Sequence, residues 1–426
     1  MLKRLLDFIK HPTSLNIFIN TFGNYLNVFF TAFYAVLITR VLNAVDYGSL
    51  SVLLSVVYVF TNILDLGTTA SIYSYLPALV EKKHKDVGSF LKTVFTFQSS
   101  ATFIVIILLG LTFPFFDKMF LKTHASPVQF SVTALSIIFL VWQNFLTNAM
   151  NAAKEFLKVN VWSNVSNVAK AVIFVPIIFF HLTNIAFIIF TFGIFGPLVF
   201  IILVLVDQKK YFVDTFRAVT SIRQLRIRYT LTFFGASQFL NMSQRVDIFL
   251  LSFFMPRSPD IGYYGLAQKI ILNIITAIVS ITQVLSPNFS KIKDRLQLIK
   301  ELKHAVFYMS IPAALFVVLY LTPSWIFSLV FTHRYDSAIS ITRSLSLPFL
   351  MFVLVNIPIL FLLYSVKKPF HILIAYFLIF VVIAVGCYWL IPIYGVYAPS
   401  KAMTAAFSIS LVYLLWASVV EYRKLE

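Results

Sequence analysis

Long apolar stretches recur along the whole of this 426-residue chain and are separated by short polar segments. A helix needs about 20 mostly apolar residues to cross the hydrocarbon of a bilayer, and only helices or closed barrels satisfy their backbone polar groups there. The sequence therefore predicts an all-α polytopic membrane protein with about twelve transmembrane helices. The candidate spans are 14–39, 47–80, 93–116, 128–150, 159–181, 184–206, 229–255, 262–287, 305–331, 345–366, 370–391 and 393–420.

The charge composition separates this chain from soluble proteins. Only 12% of the residues are charged and 60% are hydrophobic, whereas about 25% of a typical soluble domain is charged. The formal net charge of +18 would suit a nucleic-acid partner if the cations lay on one solvated face. They lie instead between the apolar stretches, so no nucleic-acid binding is predicted.

The basic residues are distributed unevenly between the two sides of the predicted membrane. With a cytoplasmic N-terminus, 24 of the 34 Lys and Arg residues fall in segments on the inner side, six on the outer side and four within spans. Inner loops of membrane proteins are enriched in Lys and Arg. The pattern predicts that both termini are cytoplasmic, next to anionic lipid.

The longest polar segment divides the chain into two sets of six spans. Residues 207–228 form a predicted basic cytoplasmic linker between an N-terminal lobe, 1–206, and a C-terminal lobe, 229–426. An even number of spans in each half is typical of parallel repeats in transporters. A Tyr-Gly pair begins the second span of each half, at Tyr47-Gly48 and at Tyr264-Gly265.

Several predicted spans carry polar side chains at intervals of three and four residues, which place them on one face of a helix. Asn and Ser side chains can join helices through hydrogen bonds, but aligned stripes on neighbouring helices also suit a water-filled cavity. The stripes include Asn16, Asn20, Asn24 and Asn27 in the first span, Asn241 with Arg245 in the seventh, and Lys269 with Asn273 in the eighth.

Charged residues inside the spans are the main candidates for a binding site. A charge at the bilayer centre costs about 2.5 to 3.5 kcal/mol on insertion scales and therefore indicates a function. Four cations, Lys170, Arg245, Lys269 and Lys401, outnumber the two acids Asp65 and Asp247. Such cations would repel one another unless an anion lay between them. Alternatively, Lys269 and Lys401 extend toward the outer interface.

The two acids have structural alternatives as well. Asp247 is expected to salt-bridge Lys269 or Lys401, or else to titrate during ion coupling. Asp65 precedes Gly67, which can end or bend a helix, so an interfacial role for Asp65 competes with a role in transport. The sequence shows no metal-ligand cluster, catalytic nucleophile or phosphate-binding glycine loop. No enzymatic activity and no cofactor are predicted.

The segment from Arg245 to Asp294 resembles the polysaccharide-biosynthesis flippases, which move O-antigen or capsule repeat units on a polyprenyl pyrophosphate carrier. The first half of the chain resembles the opening helices of the same family through Tyr47-Gly48 and Leu66-Gly67. The matching pieces of the second half are Asp247 before an apolar run, Gly262-Tyr263-Tyr264, Ala267-Gln268-Lys269, and Pro287 before a basic loop.

The resemblance implies the fold of multidrug and toxin extrusion proteins, with two six-helix lobes in a V around a central cavity. It implies that a lipid-linked oligosaccharide is flipped to the outer leaflet by alternating access across a bacterial or archaeal cytoplasmic membrane. Its further partners would be membrane lipid and a glycan polymerase or glycosyltransferases of the same pathway. The cations would attract the pyrophosphate, and the Asn stripes would bind sugar hydroxyls.

Some relatives that flip peptidoglycan precursor bind sodium through acids in the seventh and eleventh spans. Residues 370–391 contain no acid, which disfavours sodium coupling. Coupling to protons, to sodium or to a gradient of the lipid carrier therefore stays open. A multidrug or metabolite exporter on the same fold is the main alternative. A sugar transporter of the major facilitator type and a membrane glycosyltransferase fit less well, because the typical acidic-arginine turn and a large outer loop are both lacking.

Overall fold

The computed structural model describes residues 12–81, 86–180, 184–208, 215, 217–220, 227–289, 292 and 294–424. Helices account for nearly all of these residues, and none of them lies in a strand. The apolar stretches favour this outcome because a helix satisfies its own backbone groups in a lipid environment. Within the described ranges, nine helical segments are long and apolar enough to cross a membrane. The chain is therefore a multi-pass membrane protein.

Each of the twelve predicted spans coincides with one helix or with successive helices. The helices are α1 (Pro12–Val41), α2 (Ala44–Ile63), α3 (Thr68–Glu81), α4 (Asp86–Phe116), α5 (Pro127–Ala152), α6 (Phe156–Phe179), α7 (Ile185–Phe190), α8 (Gly196–Asp207), α9 (Ile227–Ser243), α10 (Val246–Phe254), α11 (Pro259–Phe289), α12 (Arg295–Leu321), α13 (Ser324–Phe331), α14 (Ser337–Leu360), α15 (Pro369–Tyr394) and α16 (Ala398–Tyr422). Wider π-helical turns follow α4, α7 and α14, at Asp117–Leu121, Thr191–Phe195 and Phe361–Ser365.

Three predicted spans are broken into pairs of helices. The span 305–331 breaks between α12 and α13, at Thr322 and Pro323, and the other two break next to charged residues. The span 47–80 breaks between α2 and α3, where Leu66 and Gly67 have φ values of 49° and 74°. This left-handed backbone ends a helix and favours glycine, so the predicted break at Gly67 is confirmed. The span 229–255 breaks between α9 and α10, at Gln244 and Arg245 and just before Asp247. Both breaks therefore occur next to intramembrane charges.

The described residues divide into two compact units. Unit 1 falls within Met1–Tyr34, Val56–Phe116 and Ala125–Phe234, and unit 2 within Ala35–Ser55, Asp117–His124 and Gly235–Glu426. The sequence-based lobes 1–206 and 229–426 stay a prediction. In the structure, residues 35–55 and 117–124 belong to unit 2, although they come from the first half of the chain.

Unit 1 has an apolar core between α3, α4, α5 and α8. Leu76, Leu91, Phe145 and Phe200 are among its buried side chains, and Phe95, Trp142 and Leu205 pack at its edge. These residues come from four helices, so burial of their apolar surface and close packing hold the helices together.

Unit 2 consists mainly of α11, α12, α14, α15 and α16, which pack on one another. Close contacts with α11 join the first part of α2 to this unit. A Cβ atom added to Gly262 would lie 1.9 Å from the Ala44 carbonyl oxygen, and one added to Gly265 would lie 2.4 Å from the Ser51 hydroxyl. Small residues allow membrane helices to approach closely. This packing explains why the first part of α2 belongs to unit 2.

Candidate functional site

Arg245 occupies the break between α9 and α10, and its side chain is half-buried. Its Nη1 donates hydrogen bonds to Gln268 Oε1 at 3.1 Å and to Ser55 Oγ at 3.4 Å. Gln268 belongs to α11 and Ser55 to α2. The guanidinium is thus fixed against two other helices of unit 2, which limits the freedom of a long side chain and pre-orients its charge.

Asp247 is fully buried near the start of α10. Its carboxylate accepts hydrogen bonds from Gln268 Nε2 at 2.9 Å, from the Tyr264 hydroxyl, and from the Ile248 amide at 2.7 Å. A buried carboxylate is tolerated when such donors satisfy its oxygens.

The expected salt bridge between Asp247 and Lys269 or Lys401 is absent from the described residues, and in that detail the sequence-based expectation is wrong. Tyr264 and Gln268 replace it because they stand one turn apart on the same face of α11. The carboxylate of Asp247 is therefore bound by neutral hydrogen-bond donors and not by the ammonium of a lysine.

Lys269 follows Gln268 on α11, and its side chain is exposed. Arg245 Nη1 donates a hydrogen bond to Gln268, the residue immediately before Lys269, so the two positive charges are held in the same part of unit 2 and repel each other. Like charges held close together on a fixed scaffold favour a bound anion, which relieves the repulsion. Arg245 and Lys269 are thus the two predicted cations that unit 2 brings together.

Two predicted asparagines accompany this pair of cations. Asn241 lies one turn before Arg245, and Asn273 lies one turn after Lys269. Both are half-buried, and no side-chain hydrogen bond joins either of them to another described residue. Their amides remain available to a ligand. We call Asn241, Arg245, Lys269 and Asn273 the cationic patch.

Lys401 has a different environment at the start of α16. Its side chain is exposed, and its Nζ lies 3.1 Å from the centre of the Tyr394 ring. A cation above an aromatic ring is stabilised by the ring quadrupole, and Tyr394 ends α15. This contact gives the ammonium of Lys401 an aromatic partner outside the cationic patch.

Lys170 lies on α6 in unit 1, and its side chain is half-buried. Its Nζ is 5.8 Å from the Tyr34 ring centre and 5.6 Å from that of Phe192. A Cβ atom on Gly196 would lie 2.6 Å from Lys170 Cδ, so that glycine makes room for the lysine stem. Lys170 therefore packs its stem within unit 1 and brings its charge to two aromatic rings.

Of the four predicted asparagines of α1, Asn27 is the one whose side chain is described, and it joins α1 to α6. Asn27 Oδ1 accepts a hydrogen bond of 2.6 Å from Asn167 Nδ2 on α6. This interhelical bond matches the structural alternative for the polar stripes. The side chains of Asn16, Asn20 and Asn24 lie outside the described part of the chain.

Asp65 lies in the break before α3 and serves that helix as a cap. Its Oδ1 accepts hydrogen bonds from the Thr69 hydroxyl at 2.6 Å and the Thr69 amide at 3.2 Å. Thr68 and Gln98 also contact it, at 3.2 and 3.4 Å. A carboxylate at a helix N-terminus satisfies amides that have no partner within the helix, so the geometry favours a structural role.

Three partners of the charged residues were not among the predicted site residues. They are Ser55, Tyr264 and Gln268, which hold Arg245 and Asp247. The spacing of Tyr264 and Gln268, four residues apart, indicates a shared helix face. The sequence does not indicate which other helix that face contacts.

The helical architecture and the paired intramembrane cations define a multi-pass membrane protein with a transporter fold. The family model for polysaccharide biosynthesis proteins matches residues 15–293, which is more than half of the chain. The chain belongs to this family. Among curated proteins, none matches it significantly.

Solved structures share the fold at low sequence identity. A lipid II flippase, MurJ, in an inward closed conformation has a TM-score of 0.66 and 16% identity over 95% of this chain and 87% of that chain. The MATE multidrug transporter DinF-BH has a TM-score of 0.67 and 15% identity over 97% and 96% of the two chains. A MOP superfamily transporter from Pyrococcus furiosus has a TM-score of 0.63 and 13% identity over 96% of each. The predicted fold class is confirmed.

Proposed function

We propose that the protein is a flippase that moves a polyprenyl-pyrophosphate-linked oligosaccharide from the cytoplasmic to the outer leaflet by alternating access. The observation that carries this proposal is the pair Arg245 and Lys269, which unit 2 brings together because Arg245 is hydrogen-bonded to Gln268, the neighbour of Lys269 in α11. Membership of the polysaccharide biosynthesis family supports a glycan-bearing substrate. The likeness of the fold to a lipid II flippase supports a lipid carrier.

The chemistry of the cationic patch suits the head of such a substrate. A pyrophosphate carries several negative oxygens, and a guanidinium with a neighbouring ammonium offers charge-assisted donors to them. Asn241 and Asn273 offer amides, which can both donate to and accept from sugar hydroxyls. In this proposal Arg245 and Lys269 bind the pyrophosphate, while the two asparagines bind the adjoining sugar.

Lys170 and Lys401 hold secondary positions in this proposal. Each has its ammonium near an aromatic ring, at 5.6 Å from the Phe192 ring centre for Lys170 and at 3.1 Å from that of Tyr394 for Lys401. They would add to the positive potential met by an approaching anion. We expect each to contribute less to binding than either cation of the patch.

The test is a flipping assay in vesicles that hold a polyprenyl-pyrophosphate oligosaccharide with a label on its glycan. Appearance of the label on the far side measures transport. Arg245→Gln and Lys269→Gln should each reduce the transport rate at low substrate by about 10- to 100-fold, because each removes one charge-assisted contact. Lys401→Gln removes the same charge from a secondary position, and we expect it to reduce transport less than either of these changes.

The assay also separates the proposal from a multidrug exporter on the same fold. Transport of a cationic dye, with no movement of the labelled lipid, would support the exporter and contradict the flippase. Transport of the lipid at wild-type rates by both Arg245→Gln and Lys269→Gln would refute the assigned residues. Loss of transport in Lys401→Gln alone would indicate that the anion binds at α16 and not at Arg245 and Lys269.

A further inference from the structure

Unit 1 contains an apolar cavity of about 220 Å³ at the edge of its hydrophobic core. Side chains of α4, α5 and α8 form most of its lining, including Phe95, Trp142, Leu146 and Leu205. Two of the lining residues have polar side-chain groups, Lys92 on α4 and Thr215. Thr215 belongs to the basic segment 207–228 that joins the two halves of the chain.

The basic segment is attached to α4 beside this cavity. Lys92 Nζ donates a hydrogen bond of 2.7 Å to the Ala218 carbonyl, and the Ser89 hydroxyl donates one to the Val219 carbonyl. Thr215 is buried, whereas Arg217 is exposed. The described part of the segment is thus bonded to the first turns of α4, where Lys92 lies next to the apolar lining residues.

The composition of the lining decides what could fill the cavity. A buried water needs two to four polar partners, and apolar cavities of about 150 Å³ stay dry and accept apolar molecules. The surface that this cavity presents is apolar, because Lys92 Nζ donates to the Ala218 carbonyl and the indole N–H of Trp142 donates to Ser99. Because an unfilled cavity forfeits the dispersion contacts of its walls, an apolar occupant would stabilise unit 1.

The charge beside the cavity selects among apolar occupants. Lys92 lines the cavity and Arg217 lies on the attached segment. Both belong to stretches that the distribution of Lys and Arg predicts to be cytoplasmic. Basic pockets between membrane helices on the cytoplasmic side are typical binding sites for anionic lipid headgroups. A phospholipid offers both parts at once, an aliphatic chain for the cavity and a phosphate for the cations.

We propose that this cavity binds one acyl chain of an anionic phospholipid of the membrane, with Lys92 attracting its headgroup. The site lies in unit 1, and the proposal does not depend on the flippase function or on the cationic patch of unit 2. A bound lipid would contact both Thr215, from the segment between the two halves of the chain, and Leu146, from the core of unit 1, because both residues line the cavity.

Trp142 provides a direct probe, since it lines the cavity. Brominated acyl chains quench tryptophan fluorescence on contact. A variant that keeps Trp142 as its only tryptophan is reconstituted in phosphatidylcholine vesicles with a minor fraction of phosphatidylglycerol, and the bromine is placed on one lipid or the other. A variant that keeps only Trp389, whose side chain is 69% exposed, reports contact with bulk lipid.

The expected result is that brominated phosphatidylglycerol quenches Trp142 about fivefold more per mole than brominated phosphatidylcholine, which corresponds to one basic contact. Trp389 should show no such preference. Lys92→Gln should remove the preference at Trp142, and Lys92→Arg should retain it. Leu205→Phe, which fills part of the cavity, should reduce quenching by both lipids.

Three results would overturn the proposal. Equal quenching of Trp142 by the two lipids would show that no headgroup is selected. Absence of quenching by either lipid would show that no acyl chain enters. Equal loss of the preference in Lys92→Gln and Lys92→Arg would show that the positive charge is not what recognises the lipid. The comparison of the two lipids on the Trp142 variant stands even if a Lys92 variant fails to fold.

Discussion

The side-chain amide nitrogen of Gln268 donates a hydrogen bond of 2.9 Å to a carboxylate oxygen of Asp247. The amide oxygen of the same Gln268 accepts a bond of 3.1 Å from Arg245. One neutral side chain thus connects a cation and an anion that lie two residues apart. Because an amide carries both a donor and an acceptor, Gln268 holds Arg245 and Asp247 in fixed positions at the same time.

Replacing Gln268 by Leu should destabilise unit 2. The change removes a donor from the buried Asp247 carboxylate and an acceptor from Arg245, and a buried polar group left unsatisfied costs about 1 to 3 kcal/mol. Unfolding of the purified protein in detergent measures the loss. Ser131→Ala is the control, because the exposed Ser131 hydroxyl bonds only within its own helix, and its loss should change stability by less than about 0.5 kcal/mol. Equal stability of the two variants would contradict the bridging role.

Replacing Asp247 by Asn separates a structural role from ion coupling. The carboxylate accepts from Tyr264, Gln268 and the Ile248 amide, and Asn retains only one acceptor oxygen. We expect a loss of about 1 to 3 kcal/mol in unfolding free energy, with the pH profile of transport by the folded protein unchanged. Tyr264→Phe, which removes a single donor, should cost less. A pH profile that becomes flat in Asp247→Asn would instead assign ion coupling to this carboxylate.

Replacing Gly262 by Ala should disturb the packing of α2 on α11. The new Cβ would lie 1.9 Å from the Ala44 carbonyl oxygen, and the backbone of α2 would have to move. Overpacking of this kind costs about 1 to 3 kcal/mol. Gly110→Ala on α4 is the matched control, since its Cβ would meet nothing within 4 Å. That variant should be neutral or more stable by about 0.5 to 1 kcal/mol, because glycine is unfavourable inside a helix. Thermal unfolding of both variants measures the difference.

Hydrophobicity was sufficient to predict the helices of this protein, because each apolar stretch must form a helix to satisfy its backbone in lipid. The Tyr-Gly pairs of the two halves also acquire a physical meaning. A Cβ atom added to Gly48 would lie 3.0 Å from the Gly262 amide nitrogen, and Gly265 packs against Ser51. Glycine in both pairs therefore reflects a close approach of α2 and α11.

The break at Arg245 and the environment of Lys401 could not be predicted in the same way. No glycine or proline occurs at residues 243–247, so the local sequence gives no reason for a helix to end there. Helical periodicity places Lys401 on one face of α16, but it does not reveal that Tyr394 covers the ammonium. Such contacts depend on which helices pack together, and this information is spread over residues distant in the chain.

The cap formed by Asp65 gives a test of its structural role. Its carboxylate accepts from the Thr69 hydroxyl and amide at the start of α3, and removal of such a cap typically costs about 1 kcal/mol. Asp65→Ala should therefore lower the unfolding free energy by about that amount. Asp65→Asn should keep most of the stability, because Asn caps helices nearly as well as Asp. The flipping rate per folded molecule should stay close to wild type in Asp65→Asn, which removes the charge and retains the cap. If Asp65→Asn folds normally but stops transport, the charge itself is required, and Asp65 belongs to the transport machinery.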